Sequence, residues 1–248
     1  MLNQVLNMDC LEGMKMIEDK SIDMILCDLP YGTTSCKWDS IIPFDKLWEQ
    51  YERIIKDNGA IVLTASQPFT TKLIESNIKL FRYEWIWKKG NHTTGFPNAN
   101  RMPLKNHENI LVFYKKLPTY NPQGLIKLEN PIKKKKTPNI GVFGERNNKS
   151  LNKVHVTSYT NYPKSVIDFS RDSKTFHPTQ KPVALFEYLI KTYTNEGETV
   201  LDNCMGSFTT AIACINTNRK YIGFEMDEEY WTLGNERVNK HIESLRYP

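Results

Sequence analysis

The segment 198–225 constrains the fold of this chain more than any other part of the sequence. Residues 198–201 read as a short strand, residues 202–210 as a turn of small and polar residues, and the apolar residues that follow as a helix. Residues 221–225 read as a second strand, which ends in Glu225. This succession forms the unit that binds nucleotide-like ligands in open α/β sheets. The sequence therefore predicts an α/β fold with a ligand site at this turn.

The turn lacks the glycine pattern of dinucleotide-binding proteins. Gly206 is the one glycine between residues 202 and 210, so the backbone is poorly suited to close approach by a pyrophosphate. Glu225 follows about twenty residues later, where a carboxylate can bind ribose hydroxyls. A ligand with a ribose but no phosphate fits this pattern better than a nicotinamide or flavin dinucleotide. S-adenosylmethionine is such a ligand, and it carries an activated methyl group.

A second break between a strand and a loop lies near the amino end. The apolar run 22–27 is followed by Asp28, Leu29, Pro30, Tyr31 and Gly32, which we expect on a loop facing a cleft. Asp28 and the Leu29 carbonyl could accept the two hydrogens of an exocyclic amine, because Pro30 biases Leu29 to an extended backbone. Tyr31 offers a flat face on which a base can stack. An ordinary turn uses the same residue types, so this motif needs support from other segments.

Four motifs together resemble those of the DNA amino-methyltransferases that modify adenine N6 or cytosine N4. They are residues 28–31, His-Pro-Thr-Gln-Lys-Pro at 177–182, the turn at 202–210, and Phe224-Glu225. The catalytic motif precedes the cofactor motif, as in the circularly permuted beta class, and about residues 117–175 lie outside the resemblance. It implies a doubly wound, mostly parallel seven-stranded sheet with one reversed edge strand, and a small irregular target-recognition insertion.

The resemblance also implies a role for each matching residue. The residues that would hold the target base are Asp28, Leu29, Pro30 and Tyr31. The residues that would bind S-adenosylmethionine are Asp202, Cys204, Gly206 and Ser207 in the pocket, Glu225 on the ribose, Asp9 and Cys10 on the adenine, and Thr179 and Lys181 on the methionine carboxylate. His177 belongs to the same motif as these last two residues, and no role is assigned to it.

The sequence departs from the family at three places. Leu29 replaces a second proline, Asn203-Cys204 replaces a Pro-Phe pair, and Phe208 stands where a glycine is common. We expect activity to survive the change at Leu29, whereas Phe208 is expected either to reshape the pocket or to weaken cofactor binding. Phe208 therefore keeps open a different class of function, that of an inactive nucleic-acid-binding subunit.

The basic charge is concentrated in the part of the chain that the family motifs leave unassigned. The formal net charge of Lys, Arg, Asp and Glu is −1 in residues 1–114, +10 in residues 115–181 and −4 in residues 182–248. The middle segment, which includes Lys133, Lys134, Lys135 and Lys136, is predicted to bind double-stranded DNA through phosphate contacts. A solvated loop is the alternative for the four lysines taken alone.

The expected organisation is one domain in three parts. Residues 1–116 form the catalytic half, 117–175 the basic target-recognition insertion, and 176–248 the cofactor-binding half. Helices are predicted at 44–55 and from residues 68, 183 and 227. Strands are predicted at 60–64, 81–87 and 109–114, the last two as an antiparallel pair at one edge. Residues 91–106 form either an active-site flap or a plain surface loop.

Composition narrows the biological setting. The first residues lack an export signal and no apolar run reaches the length of a membrane span, so a cytoplasmic location is expected. Five cysteines without a Cys-x-x-Cys pair argue against a disulfide framework, and no metal is predicted.

The resemblance also bears on the target base and on the partners. An aspartate at position 28 favours adenine N6 by resemblance, with cytosine N4 as the alternative. Methyltransferases that act on RNA or on a glutamine side chain of a protein are alternatives with related site chemistry. The resemblance also leaves open a homodimer and a cognate restriction nuclease.

Overall fold

A computed structural model describes residues 1–34, 36, 39–135, 140–141, 144–145, 154–173 and 175–246. The chain divides into two compact units. The main unit comprises Met1–Asn121 and Ser165–Pro248, and the small unit comprises Pro122–Lys164. Each unit is described separately below, and all of the candidate site lies in the main unit.

The main unit contains one eight-stranded sheet with helices on both faces. Its strands are β1 (Gln4–Asn7), β2 (Ile22–Cys27), β3 (Ile55–Ala65), β4 (Phe81–Lys88), β5 (His107–Phe113), β10 (Val166–Asp168), β11 (Thr199–Asp202) and β12 (Lys220–Glu225). Its helices are α1 (Cys10–Lys15), α2 (Phe44–Ile54), α3 (Phe69–Ser76), α4 (Val183–Tyr193), α5 (Thr209–Asn216) and α6 (Glu228–Arg246). The small unit contains β6 (Ile126–Lys135), β7 (Ile140–Gly141), β8 (Gly144–Glu145) and β9 (Val154–Thr160).

The strand order in the main sheet is β1-β12-β11-β2-β3-β5-β4-β10. All neighbours pair in parallel except β5, which is antiparallel to both β3 and β4. The predicted mostly parallel α/β fold is confirmed. Two details differ from the expected seven strands with a reversed edge strand: the sheet has eight strands, and the reversed strand lies inside it. The eighth strand is β10, which has only three residues and pairs with the outer side of β4. The reversed strand β5 lies inside the sheet because β4 pairs with its outer side.

Alternate residues of the central strands enter two hydrophobic cores, one on each face of the sheet. On β2, Met24 and Leu26 pack with the core that includes α4 and α5, whereas Ile25 and Cys27 pack with the core that includes α1, α2 and α3. A strand buried on both faces reads as a continuous apolar run, which is why residues 22–27 have no polar alternation. The polar residues that follow this run are therefore displaced to the carboxyl edge of the sheet.

Phe208 contributes to the core and does not enter the cleft described below. It precedes α5 with a left-handed backbone (φ 62°) and its side chain is fully buried. Gly234 of α6 provides the space for the ring, because a Cβ there would lie 2.2 Å from a ring carbon of Phe208. The larger side chain is thus accommodated on the core side of the turn, and Phe208 is not among the residues that line the cleft.

The small unit is built on an antiparallel pair formed by β6 and β9. Lys133 and Lys134 are exposed on β6, and Ile132 and Val156 are exposed apolar residues of the same pair. The side chain of Lys135 and the whole of Lys136 lie outside the described residues. The expected insertion at 117–175 is wider than this unit, since β10 within it belongs to the main sheet.

Among the described residues, no helix has both the length and the apolar character needed to cross a membrane.

Candidate active site

The carboxyl ends of β1, β2, β11 and β12 border one cleft of about 650 Å³. This volume lies in the range of small-molecule and cofactor sites. The cleft is lined by every residue that the sequence assigned to a site: Asp9, Cys10, Asp28, Leu29, Pro30, Tyr31, Thr179, Lys181, Asp202, Cys204, Gly206, Ser207 and Glu225. The structure therefore brings together two motifs that are separated by more than half of the chain.

The loop that begins at Asp28 is held by a hydrogen-bond network centred on this residue. One carboxylate oxygen of Asp28, Oδ1, accepts a hydrogen bond from the hydroxyl of Thr64 and lies 2.9 Å from the hydroxyl of Tyr31. The Tyr31 ring stacks on Phe69, with ring centroids 5.1 Å apart. Burial, together with the nearby acids Asp28 and Glu108, raises the pKa of Tyr31 well above its usual value, so the phenol stays neutral. One face of the ring is thus fixed by Phe69.

Asp39 anchors the part of the loop that follows Tyr31. Its carboxylate accepts hydrogen bonds from the backbone N–H groups of Gly32 (2.8 Å), Thr33 (2.9 Å) and Thr34 (2.6 Å). Burial opposes ionisation of Asp39, but these hydrogen bonds outweigh it and lower its pKa. Asp39 was not identified from the sequence, because its role depends on how the loop closes on itself.

Lys181 joins the Asp28 loop to a second acid, Glu108, and both acids are partly buried. Its ammonium donates to Oδ2 of Asp28 at 2.5 Å and lies 3.6 Å from Oε2 of Glu108. Burial would lower the pKa of Lys181, but Asp28 and Glu108 raise it, so the ammonium stays charged. Lys181 was expected to bind a methionine carboxylate; in this structure its ammonium is paired with Asp28.

Glu108 of β5 was not identified from the sequence. Its Oε1 accepts a hydrogen bond from Lys89 at 2.5 Å, and its buried Oε2 has no hydrogen-bond partner. Burial opposes its ionisation, but the nearby charges of Lys181, Lys89 and Lys105 lower its pKa overall. The side of the cleft at β2 and β5 therefore contains acids and bases in close contact.

The opposite side of the cleft is formed by the turn at 202–210 and the end of β12. Glu225 accepts hydrogen bonds from the backbone N–H groups of Gly206 (2.7 Å) and Asp227 (2.9 Å). Gly206 has φ +49°, a backbone conformation that favours glycine. Asp202 accepts from the Cys204 N–H at 3.0 Å and from the Thr210 hydroxyl. These contacts fold the turn around the end of the two strands.

Asp202 and Glu225 lack the basic partners that their counterparts across the cleft have. Burial raises the pKa of Asp202 to about 6 and also raises the pKa of Glu225. No ion pair involves either acid among the residues that the structure describes. A ligand that carries positive charge would favour their ionised forms. The residues present therefore fit S-adenosylmethionine, which has a sulfonium and an ammonium group.

The remaining assigned residues lie around this turn. Asp9 caps α1 by accepting from the N–H groups of Leu11 (2.9 Å) and Glu12 (3.2 Å). The Asn203 amide lies 3.6 Å from the sulfur of Cys10 and 3.5 Å from that of Cys204, which ties the β1 and β11 ends together.

His177 lies beside Gly206 and fixes the residue that follows Pro178. Its Nδ1 is 3.1 Å from the Thr179 hydroxyl. Burial lowers the pKa of His177 to about 4, which keeps its ring neutral near pH 7. Ser207 is buried, and its hydroxyl lies 3.0 Å from that of Thr209.

The described residues contain no group of three or more His, Cys, Asp or Glu side chains that could hold a metal ion. All five cysteines are free thiols.

Comparison with known proteins gives a consistent result. M.HpaI, a type II methyltransferase of Haemophilus parainfluenzae, is 28% identical over 249 residues, covering 94% of this chain and 73% of that protein. The DNA adenine methyltransferase YhdJ of Escherichia coli is 28% identical over 254 residues, covering 95% of this chain and 82% of that protein. The solved complex of M1.HpyAVI with SAM has a TM-score of 0.63 and 25% identity, covering 94% of this chain and 98% of that one.

The family model for DNA methylases of the N6/N4 type matches residues 22–236, which include the Asp28 loop, the turn at 202–210 and Glu225. This match extends over most of the chain. The chain therefore belongs to the N6/N4 DNA methylase family.

Proposed function

We propose that this protein transfers a methyl group from S-adenosylmethionine to the N6 amino group of an adenine flipped out of duplex DNA. The observation that carries the proposal is the convergence of the Asp28 loop and the turn at 202–210 on one cleft. Neither motif is sufficient alone, because methyl transfer needs the donor and the accepting amine to be bound next to each other.

The Asp28 loop would hold and orient the amine. The amine nitrogen is a poor nucleophile because its lone pair is delocalised into the ring of the base. Asp28 and the Leu29 carbonyl would accept its two hydrogens, which localises the lone pair and aims it into the cleft. The face of Tyr31 that Phe69 does not cover would stack on the base and offset part of the cost of flipping it, a few kcal/mol. Orientation and fixed dipoles would then supply most of the rate acceleration.

The turn at 202–210 would hold the cofactor, which supplies a methyl group activated by the adjacent sulfonium. Glu225 would accept hydrogen bonds from its ribose, and Asp202 and Glu225 would offset its positive charge. As the N–C bond forms and the S–C bond breaks, the positive charge passes to the nitrogen near Asp28. The product amine then releases a proton to Asp28 or to water.

Two observations support adenine as the base. The motif begins with an aspartate, and YhdJ, a relative named for adenine methylation, is similar over 95% of this chain. Cytosine N4 is the alternative within the same family. The test is to incubate the purified protein with duplex DNA and methyl-labelled S-adenosylmethionine, digest the DNA and identify the labelled nucleoside by mass spectrometry. N6-methyladenine is expected; N4-methylcytosine would overturn the choice of base, and unlabelled DNA would overturn the proposed activity.

The role of Asp28 is tested by Asp28→Ala. Turnover should be abolished while S-adenosylmethionine binding, measured by calorimetry, stays within about threefold of wild type, since Asp28 does not contact the turn at 202–210 in our assignment. The matched control is Asp45→Ala on the outer part of α2. Equal loss of turnover and cofactor binding in Asp28→Ala would contradict the assignment.

We further propose that segment 115–181 binds the DNA substrate. The exposed Lys133 and Lys134 and the regional charge of +10 support this role. The expected homodimer, the cognate nuclease and the cytoplasmic location stay predictions. Sedimentation measurements on the purified protein would test the first of these.

A further inference from the structure

The acceptor that the target amine needs is engaged by a side chain of the protein itself. Oδ1 of Asp28 accepts from Thr64 and contacts Tyr31, and Oδ2 accepts from the Lys181 ammonium at 2.5 Å. Lys181 is 6% exposed, so it lies inside the site and is not a mobile surface lysine. An amine that enters the site must therefore share Asp28 with a resident cation or displace it.

The lysine charge is unfavourable at this position during methyl transfer. The amine nitrogen gains positive charge as the methyl group arrives, and an ammonium on the same carboxylate repels that charge. Interactions that become less favourable in the transition state slow the chemical step. The reaction is thus favoured by any arrangement that moves the ammonium away from Asp28.

Glu108 provides a second acid within reach of the same ammonium. Its Oε2 lies 3.6 Å from Lys181 Nζ and has no hydrogen-bond partner, whereas its Oε1 is held by Lys89 at 2.5 Å. A buried acceptor without a hydrogen bond is unfavourable, so Oε2 gains an interaction when a donor approaches it. Rotation about the last bonds of the lysine side chain can close this gap without movement of the backbone.

We propose that Glu108 is a positioning residue, which draws the Lys181 ammonium off Asp28 when the target base enters. Before the base binds, Lys181 offsets the charge of Asp28. When the amine occupies Asp28, the ammonium lies on Glu108 and is farther from the nitrogen that accepts the methyl group. This inference rests on the proposed function of the Asp28 loop, and it adds a residue and a movement that the family motifs at 28–31 and 177–182 do not contain.

The first test is Glu108→Gln, which keeps the shape of the side chain and removes its charge. With one acid left, Lys181 should stay on Asp28. We expect kcat to fall at least tenfold, while the Kd for S-adenosylmethionine changes less than threefold. The matched control is Glu84→Gln on β4, an exposed side chain bonded to Asn109, which should leave kcat unchanged. A kcat for Glu108→Gln within threefold of wild type would overturn the proposal.

The second test separates positioning from a structural role. If Lys181 held on Asp28 causes the defect, then Lys181→Met in the Glu108→Gln background should raise kcat, and the two substitutions should be strongly non-additive. A double variant that is as slow as Glu108→Gln, or slower, would overturn the proposal. Thermal unfolding of each variant shows that it is folded. If Glu108→Gln fails to fold, the comparison is made between Glu108→Ala and the double variant Glu108→Ala, Lys181→Met. The double variant should again have the higher kcat, and an equal or lower kcat would overturn the proposal.

The failures of the two proposals are distinguishable. If the wild-type protein does not methylate DNA, the proposed function fails. If the wild-type protein methylates DNA and Glu108→Gln does so equally well, the proposed function stands and the role of Glu108 is rejected.

Discussion

Asp202→Asn should stabilise this protein in a pH-dependent way. Asp202 is 2% exposed, and burial raises its pKa from an ordinary value near 3.8 to about 6. Ionised Asp202 therefore costs the folded state about 3 kcal/mol, since each pKa unit corresponds to about 1.4 kcal/mol. The stability of the wild type is highest with Asp202 protonated, below the unfolded pKa, and falls as the pH rises towards 6. Asparagine carries no charge and avoids this loss.

The hydrogen bonds of Asp202 are compatible with the substitution. An asparagine oxygen can accept from the Cys204 N–H, as Oδ1 does now at 3.0 Å, and its amide can donate to the Thr210 hydroxyl. The gain in unfolding free energy should therefore follow the charge alone. From the two pKa values we expect about 2 kcal/mol at pH 5 and about 3 kcal/mol at pH 8. The latter corresponds to a rise in Tm of about 6–12 °C for a chain of this size.

Urea denaturation of both proteins at pH 5 and pH 8 measures this difference. Asp39→Asn is the matched control of opposite sign, because the hydrogen bonds from residues 32–34 lower the pKa of Asp39. The ionised Asp39 carboxylate stabilises the folded state above its unfolded pKa, and this stabilisation is lost as the pH falls through the folded pKa. Asp39→Asn should therefore destabilise the protein more at pH 8 than at lower pH. The reasoning about Asp202 is refuted if Asp202→Asn destabilises the protein, or if its effect is equal at the two pH values.

Two further predictions concern the fold and the DNA substrate. Gly234→Ala should lower the unfolding free energy by about 1–3 kcal/mol, because the new Cβ would lie 2.2 Å from the ring of Phe208. In a Phe208→Ala background the same substitution should be neutral, or stabilising because alanine has the higher helix propensity. A stabilising effect of Gly234→Ala in the wild type would contradict the described contact. Replacing Lys133 and Lys134 together by alanine should reduce the slope of log Kd for duplex DNA against log salt concentration by about 2, since each phosphate contact contributes about 0.9. An unchanged slope would exclude phosphate contacts by these lysines.

The two motif turns were predictable because parallel strands place their carboxyl ends at one edge of a sheet. Once residues 22–27 and 198–201 are read as buried strands, Asp28 and Asp202 must follow at that edge, whatever their separation in sequence. The same reasoning applies to Glu225 after β12. Local sequence was sufficient here, because each site residue directly follows its strand.

Other features depend on contacts that local sequence does not encode. Glu108 reaches the cleft because β5 is antiparallel to β4 in a register that pairs Glu108 with Trp87. That register is set by neighbours across the sheet, so a single acid before an apolar strand gave no signal. The motif at 177–182 placed Lys181 near the cleft, but it does not determine which acid the ammonium contacts. The strand β10 has three residues, too few for a periodic pattern.

Phe208 shows why a departure from a family pattern cannot be interpreted without its neighbour in space. A glycine is common at this position in the family, and a left-handed backbone is unfavourable for phenylalanine. Gly234, which lies in a different helix, accommodates the ring. The ring therefore packs in the core beside α6 and does not line the cleft.

The cleft has two sides with different electrostatic properties, and this difference matches the two halves of the proposed reaction. Asp28 and Glu108 lie against Lys181 and Lys89, so the side for the target base is compensated by the protein itself. Asp202 is buried and Glu225 is partly buried; both have raised pKa values, and they lack ion pairs among the described residues. A cationic ligand is stabilised on this second side, where it supplies the missing charge. Methyl transfer then moves positive charge from the uncompensated side towards Asp28, and the withdrawal of Lys181 to Glu108 makes that position available to it.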